Sequence, residues 1–404
     1  MEHKKNVYML IAVAALGYFV DIYDLIVFNV VKNESLQALG FSGAELQNQE
    51  IYLFNLQMTG MLIGGLIWGI LGDIKGRVSV LFGSIFLYSV ANIANAFVST
   101  IDQYAFWRLV AGLGLAGELG AGITLVSETM DKNKRGYGTM IIVTFGALGA
   151  VVASLVGKSF GWQTTYIVGG AMGLALLLLR AGAYESGMYQ QLKTSSHVKK
   201  GNFLSLFSSS KNIAKYLSCI AIGLPIWFVI GVLVNLSNRF GDAFGLSINV
   251  ADSVMYAYLG LSVGDLFSGL MSQLMKSRRK VVFINIVLLF IFMLLYLFYP
   301  IASVGYYKLL CFLLGAATGY WALFVTIASE QFGTNIRSTV TNTVPNFVRG
   351  AVVPITLSFK ALVPQVGLLA SAMIVGSVCC LLAAFATWHV EESFSKDLNY
   401  YEIE

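Results

Sequence analysis

The chain has 404 residues, 57% of them hydrophobic and 12% charged, with a mean hydropathy of +0.74. Soluble globular proteins carry about 25% charged residues, and a soluble core stops growing well below this length, so the apolar surface has nowhere to hide from water. The net charge of +5 sits in short loops between apolar stretches rather than on one face, which excludes a nucleic-acid binder along with a soluble enzyme and leaves an integral membrane protein.

A membrane-crossing helix needs about 20 mostly apolar residues. Along the chain such runs fall near 7–31, 51–72, 79–98, 105–127, 137–157 and 164–182, and after a polar stretch near 213–237, 252–275, 281–300, 307–328, 338–361 and 366–389. The pattern predicts an all-α membrane protein of twelve helices: an N-terminal six-helix bundle over 1–182, a Ser- and Lys-rich cytoplasmic linker over 183–212, a C-terminal six-helix bundle over 213–390 and a cytoplasmic tail over 391–404. The first run follows Lys4 and Lys5, carries Asp21 and Asp24 and lacks a small-x-small cleavage site, so it reads as a retained helix. With both termini in the cytoplasm most of the 26 lysines and arginines fall on that side, among them Lys75, Arg77, Lys134, Arg135, Arg180, Arg278 and Lys280, as the positive-inside rule requires. Trp107 and Trp162 near outer ends and Trp388 near an inner end fit an interfacial aromatic belt. Cys219, Cys311, Cys379 and Cys380 lie in apolar runs, and His3, His197 and His389 lie at ends or in loops. Neither residue type points to a metal, and no cofactor is expected.

The chain also repeats itself. Ser127-Glu128 after the fourth helix, with Asn133 and Arg135 following, returns as Ser329-Glu330 after the tenth, with Asn335 and Arg337, at one offset of 202. Basic clusters recur after the second helix of each half, at Lys75/Arg77 and at Arg278/Arg279/Lys280. Duplicated halves with a midplane site between them are the usual build of a secondary transporter.

Residues 69–77 read Gly69-Ile-Leu-Gly-Asp73-Ile-Lys75-Gly76-Arg77. They resemble the loop 2–3 signature of the major facilitator superfamily, G-x-x-x-D-x-x-G-R. The run from Arg108 through Gly112, Gly114 and Gly117 to Glu118 resembles the helix 4 signature of the same superfamily, and Glu128 with Arg135-Gly136 resembles the motif that comes after it. Within the superfamily, Asp21-Ile-Tyr-Asp24 is similar to the D-x-x-D of aromatic-acid and sialate proton symporters, and Gly117-Glu118 to the metabolite:proton symporter group. The C-half loop Lys276-Ser-Arg-Arg-Lys280 departs from the signature, and Gly146 and Gly149 make a poor antiporter motif, which favours symport over export. The resemblance implies two six-helix bundles, alternating access and a central site. It also implies a cytoplasmic gate of Asp73, Arg77, Glu128, Arg135, Glu330 and Arg337.

Ionisable groups at membrane depth are costly, so each is a candidate for function. Asp21 and Asp24 share one face of helix 1, beyond the midplane, and Arg108 lies at a comparable depth in helix 4. Asp21, Asp24, Arg108 and Glu118 are the candidate proton-coupling set. Sugar porters of the superfamily use a helix 1 acid and a helix 4 arginine in this way, and the alternative is a plain staple between the helices. Arg349, beside Asn346 and Pro345 in helix 11, is the candidate anchor for a substrate carboxylate; its alternative is an ion pair with Asp265. Trp227, Tyr320 and Trp321 are candidate cavity residues, and Glu118 faces either the cavity or a neighbouring helix.

The expected protein is a monomer of the bacterial inner membrane that imports a small organic anion with protons and binds no nucleic acid. A proton-driven exporter of a drug, siderophore or metabolite is the alternative on the same fold. A receptor or scaffold would not need midplane charges. An intramembrane enzyme would need a His/Ser or metal constellation, and ATP-driven pumping a G-x-x-x-x-G-K-[ST] loop; the sequence carries neither.

Overall fold

The computed structural model describes residues 2–131, 133–180, 201, 203–207, 209–299, 301 and 303–402. Among the described residues, twelve helices are long and apolar enough to cross a membrane. The first six are α1 (Tyr8–Ala38), α2 (Gly43–Lys75), α3 (Arg77–Asn95), α4 (Ile101–Thr129), α5 (Arg135–Ser159) and α6 (Trp162–Leu179). The second six are α7 (Ser210–Val234), α8 (Val250–Leu274), α9 (Arg278–Phe298), α10 (Val304–Glu330), α11 (Arg337–Val366) and α12 (Leu368–His389). Their number and order are those the apolar runs predict. Most of the expected linker lies outside the described residues; within it Phe203–Phe207 forms a short 3-10 turn.

Local chemistry sets the helix ends. The hydroxyls of Thr100, Ser209, Ser277 and Ser303 accept from the backbone N–H of Gln103, Asn212, Lys280 and Tyr306 at 3.3, 3.1, 3.3 and 3.2 Å, starting α4, α7, α9 and α10. Gly76, at φ +104°, makes the reversal between α2 and α3 that a side chain would resist.

Several helices are broken. α4 is interrupted at Ala116 and Gly117, α10 at Gly319 and Tyr320, and α11 at Ala351. The breaks in α4 and α10 fall at matching places of the two halves, just before the repeated Ser-Glu pairs. α7 passes Pro225 and ends in a π-helical turn over Val229–Val234. Such turns collect at functional sites because they redirect side chains within one helix.

The halves meet along α2 against α11 and α5 against α8. Within each half, glycines bring helices into backbone contact: a Cβ added to Gly60 would lie 2.3 Å from Leu109 O, and one added to Gly260 would lie 2.0 Å from Phe312 O. The Arg337–Gly350 half of α11 is polar yet buried. Its hydroxyls bond back to the helix, Thr341 to Arg337 O and Thr343 to Thr339 O, both at 2.7 Å, which is how such a stretch survives away from water. Trp388 is 76% exposed, as a belt residue should be, but Trp162 is 6% exposed and packs inward against Tyr166.

Candidate functional site

The side of the molecule on which the segment after α12 lies is termed the tail end; the other is the far end. At the tail end the repeated motifs build two matching clusters. Glu128 Oε1 takes Arg77 Nη2 at 2.9 Å and, from the other half, Arg337 Nη1 at 3.2 Å. Glu330 takes Arg278 at 2.6 and 2.7 Å and, from the other half, Arg135 Nε at 2.8 Å. Each half thus sends one arginine across to the acid of its counterpart, and all six side chains are buried. Asp73 adds a third tie: its carboxylate accepts from Ser338 N (3.1 Å), Thr339 N (2.8 Å) and Thr339 Oγ1 (2.7 Å), capping α11 from α2. The six residues expected at a gate are therefore together. Arg278 joins them although its loop lacks the signature, and its place in the recurring basic cluster was the available signal.

The segment after α12 lies across these clusters. Leu398 O accepts from Arg337 Nη2 (2.6 Å) and Thr334 Oγ1 (3.1 Å), and Lys396 O accepts from Arg135. Tyr400 O takes Thr334 N at 2.9 Å, while Glu402 and Asn335 exchange bonds of 2.9 and 3.1 Å. The tail expected to be a plain cytoplasmic extension is thus a strap. Its hinge is Glu392, whose carboxylate accepts from Ser277 Oγ (2.5 Å) and Arg278 N (3.0 Å). Burial pushes this carboxyl up, but those bonds, with others from Phe394 N and Arg279 N, outweigh burial and hold it below the usual carboxylate range.

Midway through the molecule Arg349 is buried with its guanidinium 5.5 Å from the ring of Trp321 and 5.8 Å from that of Trp227. Nη1 donates to Asn346 Oδ1 at 3.1 Å, while Nε and Nη2 have no hydrogen-bond partner among the described residues. Trp321 Nε1 donates to Tyr18 OH at 2.9 Å, joining α10 to α1. These side chains, with Ile22, Ile230 and Tyr258, line a central cavity of about 20 Å³, room for roughly one water. The ion pair weighed between Arg349 and Asp265 is not formed. Asp265 Oδ1 instead accepts from Ala322 N at 2.9 Å, capping the second half of α10 where the helix restarts. Tyr320 is not a cavity residue either, because it points into the C half and donates to Ile222 O at 3.0 Å. Asn346 spans the halves, donating to Ala116 O at 2.8 Å, at the break in α4.

The proton-coupling candidates are all buried but divide into two groups. Glu118 forms a two-pronged pair with Arg180 at 2.5 and 2.9 Å, so Arg180, expected among the loop charges, is turned inward. Arg108 donates to Gln57 Oε1 (3.1 Å) and Asn92 Oδ1 (3.2 Å) and lies over the rings of Tyr166 and Phe28. Asp24 is within Coulombic reach of Arg108 but makes no ion pair with it. Gly169 leaves it room, since a Cβ there would sit 2.0 Å from Asp24 Oδ1. Asp21 has no hydrogen-bond partner on either oxygen among the described residues and lies within Coulombic reach of Arg349, Glu118 and Arg180.

The far end is closed by smaller ties. Lys32 pairs with Glu50 and donates to Asn235 Oδ1 of the other half at 3.0 Å. Lys158 pairs with Asp252 across the halves, and Lys308 holds the same carboxylate at 2.8 Å. With the tail end tied and the central cavity small, the arrangement is occluded. No group of three or more His, Cys, Asp or Glu among the described residues is placed to hold a metal. Tyr18, Arg180 and the strap were not anticipated as parts of this machinery, because their partners come from helices distant in sequence.

Comparisons with known proteins agree with this build. The chain is 30% identical over 167 residues to the niacin transporter NiaP of Acinetobacter baylyi, covering 40% of this chain and 37% of that one. It is 29% identical over 235 residues to the 3-(3-hydroxy-phenyl)propionate transporter of Escherichia coli K12, covering 57% and 56%. The chain therefore spans about half or less of the length of these relatives. The structure of the proton:xylose symporter XylE bound to 6-bromo-6-deoxy-D-glucose superposes with a TM-score of 0.76 over 98% of both chains at 18% identity, which carries the fold. Residues 14–355 match the family profile, and with twelve crossing helices, duplicated halves and paired charge clusters the chain belongs to the Major Facilitator Superfamily.

Proposed function

We propose that this multi-pass membrane protein is a secondary active transporter that imports a small organic anion together with a proton by alternating access. The observation that carries this reading is Arg349: a buried guanidinium between two indole faces, with two donor nitrogens unengaged and an unpartnered carboxyl, Asp21, within Coulombic reach from the opposite half. A carboxylate would take the free edge bidentately, and its flat body would stack on Trp227 or Trp321. The coupling follows from charge counting. One arginine cannot satisfy both Asp21 and a substrate carboxylate in a dry interior, so the anion is admitted once a proton neutralises Asp21. The relatives' names, a niacin transporter and a hydroxyphenylpropionate transporter, support an aromatic acid as cargo. The positive-inside rule supports a cytoplasmic tail end.

Uptake of labelled benzoate into proteoliposomes tests the reading. Asp21→Asn should keep benzoate exchange but lose accumulation driven by an inward pH gradient, and Arg349→Lys should weaken benzoate far more than an uncharged analogue. Accumulation by Asp21→Asn equal to the unmodified protein would overturn the coupling. Accumulation only under an outward-directed gradient would favour export.

A further inference from the structure

α7 serves two cavities. Trp227 and Ile230 line the central one, while Gly231, then Asn235, Leu236 and Arg239 beyond the helix, line a second cavity of about 310 Å³ toward the far end, between α2, α7 and α11. The π-helical turn Val229–Val234 contains the step from Ile230 to Gly231, so the linings of the two cavities meet within a stretch of α7 whose hydrogen bonding is irregular. The wall of the second cavity is mostly apolar, with Phe54, Leu357, Phe359 and Val363. Its volume reaches the lower end of the range for small-molecule sites, about 300–1,000 Å³.

Its charge is one-sided. Arg239 and Lys360 line it, no carboxylate does, and neither cation makes an ion pair among the described residues. Glu50, next in sequence to the lining residue Ile51, is taken by Lys32. Asn55 contributes a buried oxygen without a partner, and Asn235 lines the cavity while also holding Lys32 in the tie between the halves. An apolar slot with two unneutralised cations and no anion fits a molecule with a flat apolar body and one carboxylate.

We propose that this cavity is an outer station for the transported acid, which binds with its carboxylate on Arg239 before α7 admits it to the central cavity. The inference rests on the import reading above for the identity of the ligand but makes its own demand on Arg239. Occupancy there would also loosen the far-end tie, because the carboxylate arrives beside Lys32 and Asn235 and competes for the lysine.

Equilibrium binding of benzoate to the purified full-length protein tests it, using calorimetry on the unmodified protein, Arg349→Gln, Arg239→Gln and the Arg349→Gln/Arg239→Gln and Arg349→Gln/Arg239→Lys pairs. Loss of one charge-assisted contact should weaken binding by about tenfold or more. Arg349→Gln should therefore retain a weaker benzoate site that disappears in the pair, is restored by Arg239→Lys in the same background, and weakens with added salt. A residual site unaffected by Arg239→Gln, or no benzoate binding in Arg349→Gln, would overturn the outer station. Full affinity in Arg349→Gln would overturn the central reading instead, leaving the Arg239 arm to decide this one. The titrations are repeated in nanodiscs of phosphatidylcholine and of phosphatidylglycerol. Displacement of benzoate by phosphatidylglycerol alone would make the cavity a lipid-headgroup site and overturn the assignment.

Discussion

Glu118 and Arg180 show how a buried charge acquires its meaning from its partner. With the pair intact, desolvation is offset by two short bonds; with one member gone the other is stranded, at a cost of about 3–5 kcal/mol, whereas an apolar pair of similar volume is often neutral. Glu118→Gln should therefore lower the melting temperature in detergent by several degrees, and Glu118→Leu with Arg180→Met should recover most of it. A double variant as unstable as the single one would mean that the carboxylate serves something other than Arg180. The sequence marked Glu118, because a carboxyl in an apolar run announces itself. Arg180 gave no such signal: it stands at the end of α6 beside a polar linker and looks like any loop charge. The same limit hid Tyr18, an ordinary tyrosine until Trp321 is found on its hydroxyl, and misplaced Asp265 opposite Arg349. Depth along a helix can be counted from sequence, but rotation about the helix axis cannot.

At the scale of elements, the strap 391–402 is the segment whose role least resembles its composition. It holds the crossing arginines, Arg135 and Arg337, by main-chain carbonyls, so its sequence carries little of the instruction; apolar periodicity ends at α12, and the residues beyond it read as a tail. Ending the chain after Val390 should make the tail end open more readily. A cysteine at Ser329, in a background without the four native cysteines, should then be alkylated several-fold faster by a membrane-impermeant reagent from that side. Glu392 gives the strap its pH dependence. Its carboxyl is held below the ordinary range near 4.3, so the stabilisation is complete above that value and lost as pH falls through the lowered one. Docking should be constant between pH 6 and 8, whereas Glu392→Gln should speed tryptic cleavage after Lys396 at pH 7.5. The breaks in α4, α7 and α10 were only partly legible. Pro225 and the glycines allow them, but a residue distant in sequence, Asp265, caps the restart of α10.

Across the whole molecule, the twelve helices and their grouping were readable because hydropathy and the offset of 202 act on the entire length. The two charge clusters were readable for the same reason, as motif residues recur where the repeat requires them. On the transporter reading proposed above, the two clusters serve switching more than stability, since buried pairs gain little over apolar packing yet resist separation. Glu330→Gln should release both Arg278 and Arg135, Glu128→Gln both Arg77 and Arg337, and each should shift the population toward a tail-end-open form. Combined, they should shift it further than either alone, read by the same alkylation assay. Equal accessibility in single and double variants would mean that the closure needs both clusters at once, since losing either already releases it.

The crossing of Arg135 to Glu330 and of Arg337 to Glu128 obeys a reciprocity found where two identical subunits meet about a twofold axis: residue i of one touches j of the other, and j touches i. Such a contact is self-complementary, so the duplicated halves of this chain meet through what is in form a homodimer interface closed within a single polypeptide. The match is not complete: at the offset of 202 Arg77 corresponds to Arg279, although Arg278 is the arginine on Glu330, and Asp73, which caps α11, corresponds to Met275. A symmetric ancestor would have had no way to tell its two bundles apart; this chain does, at those positions.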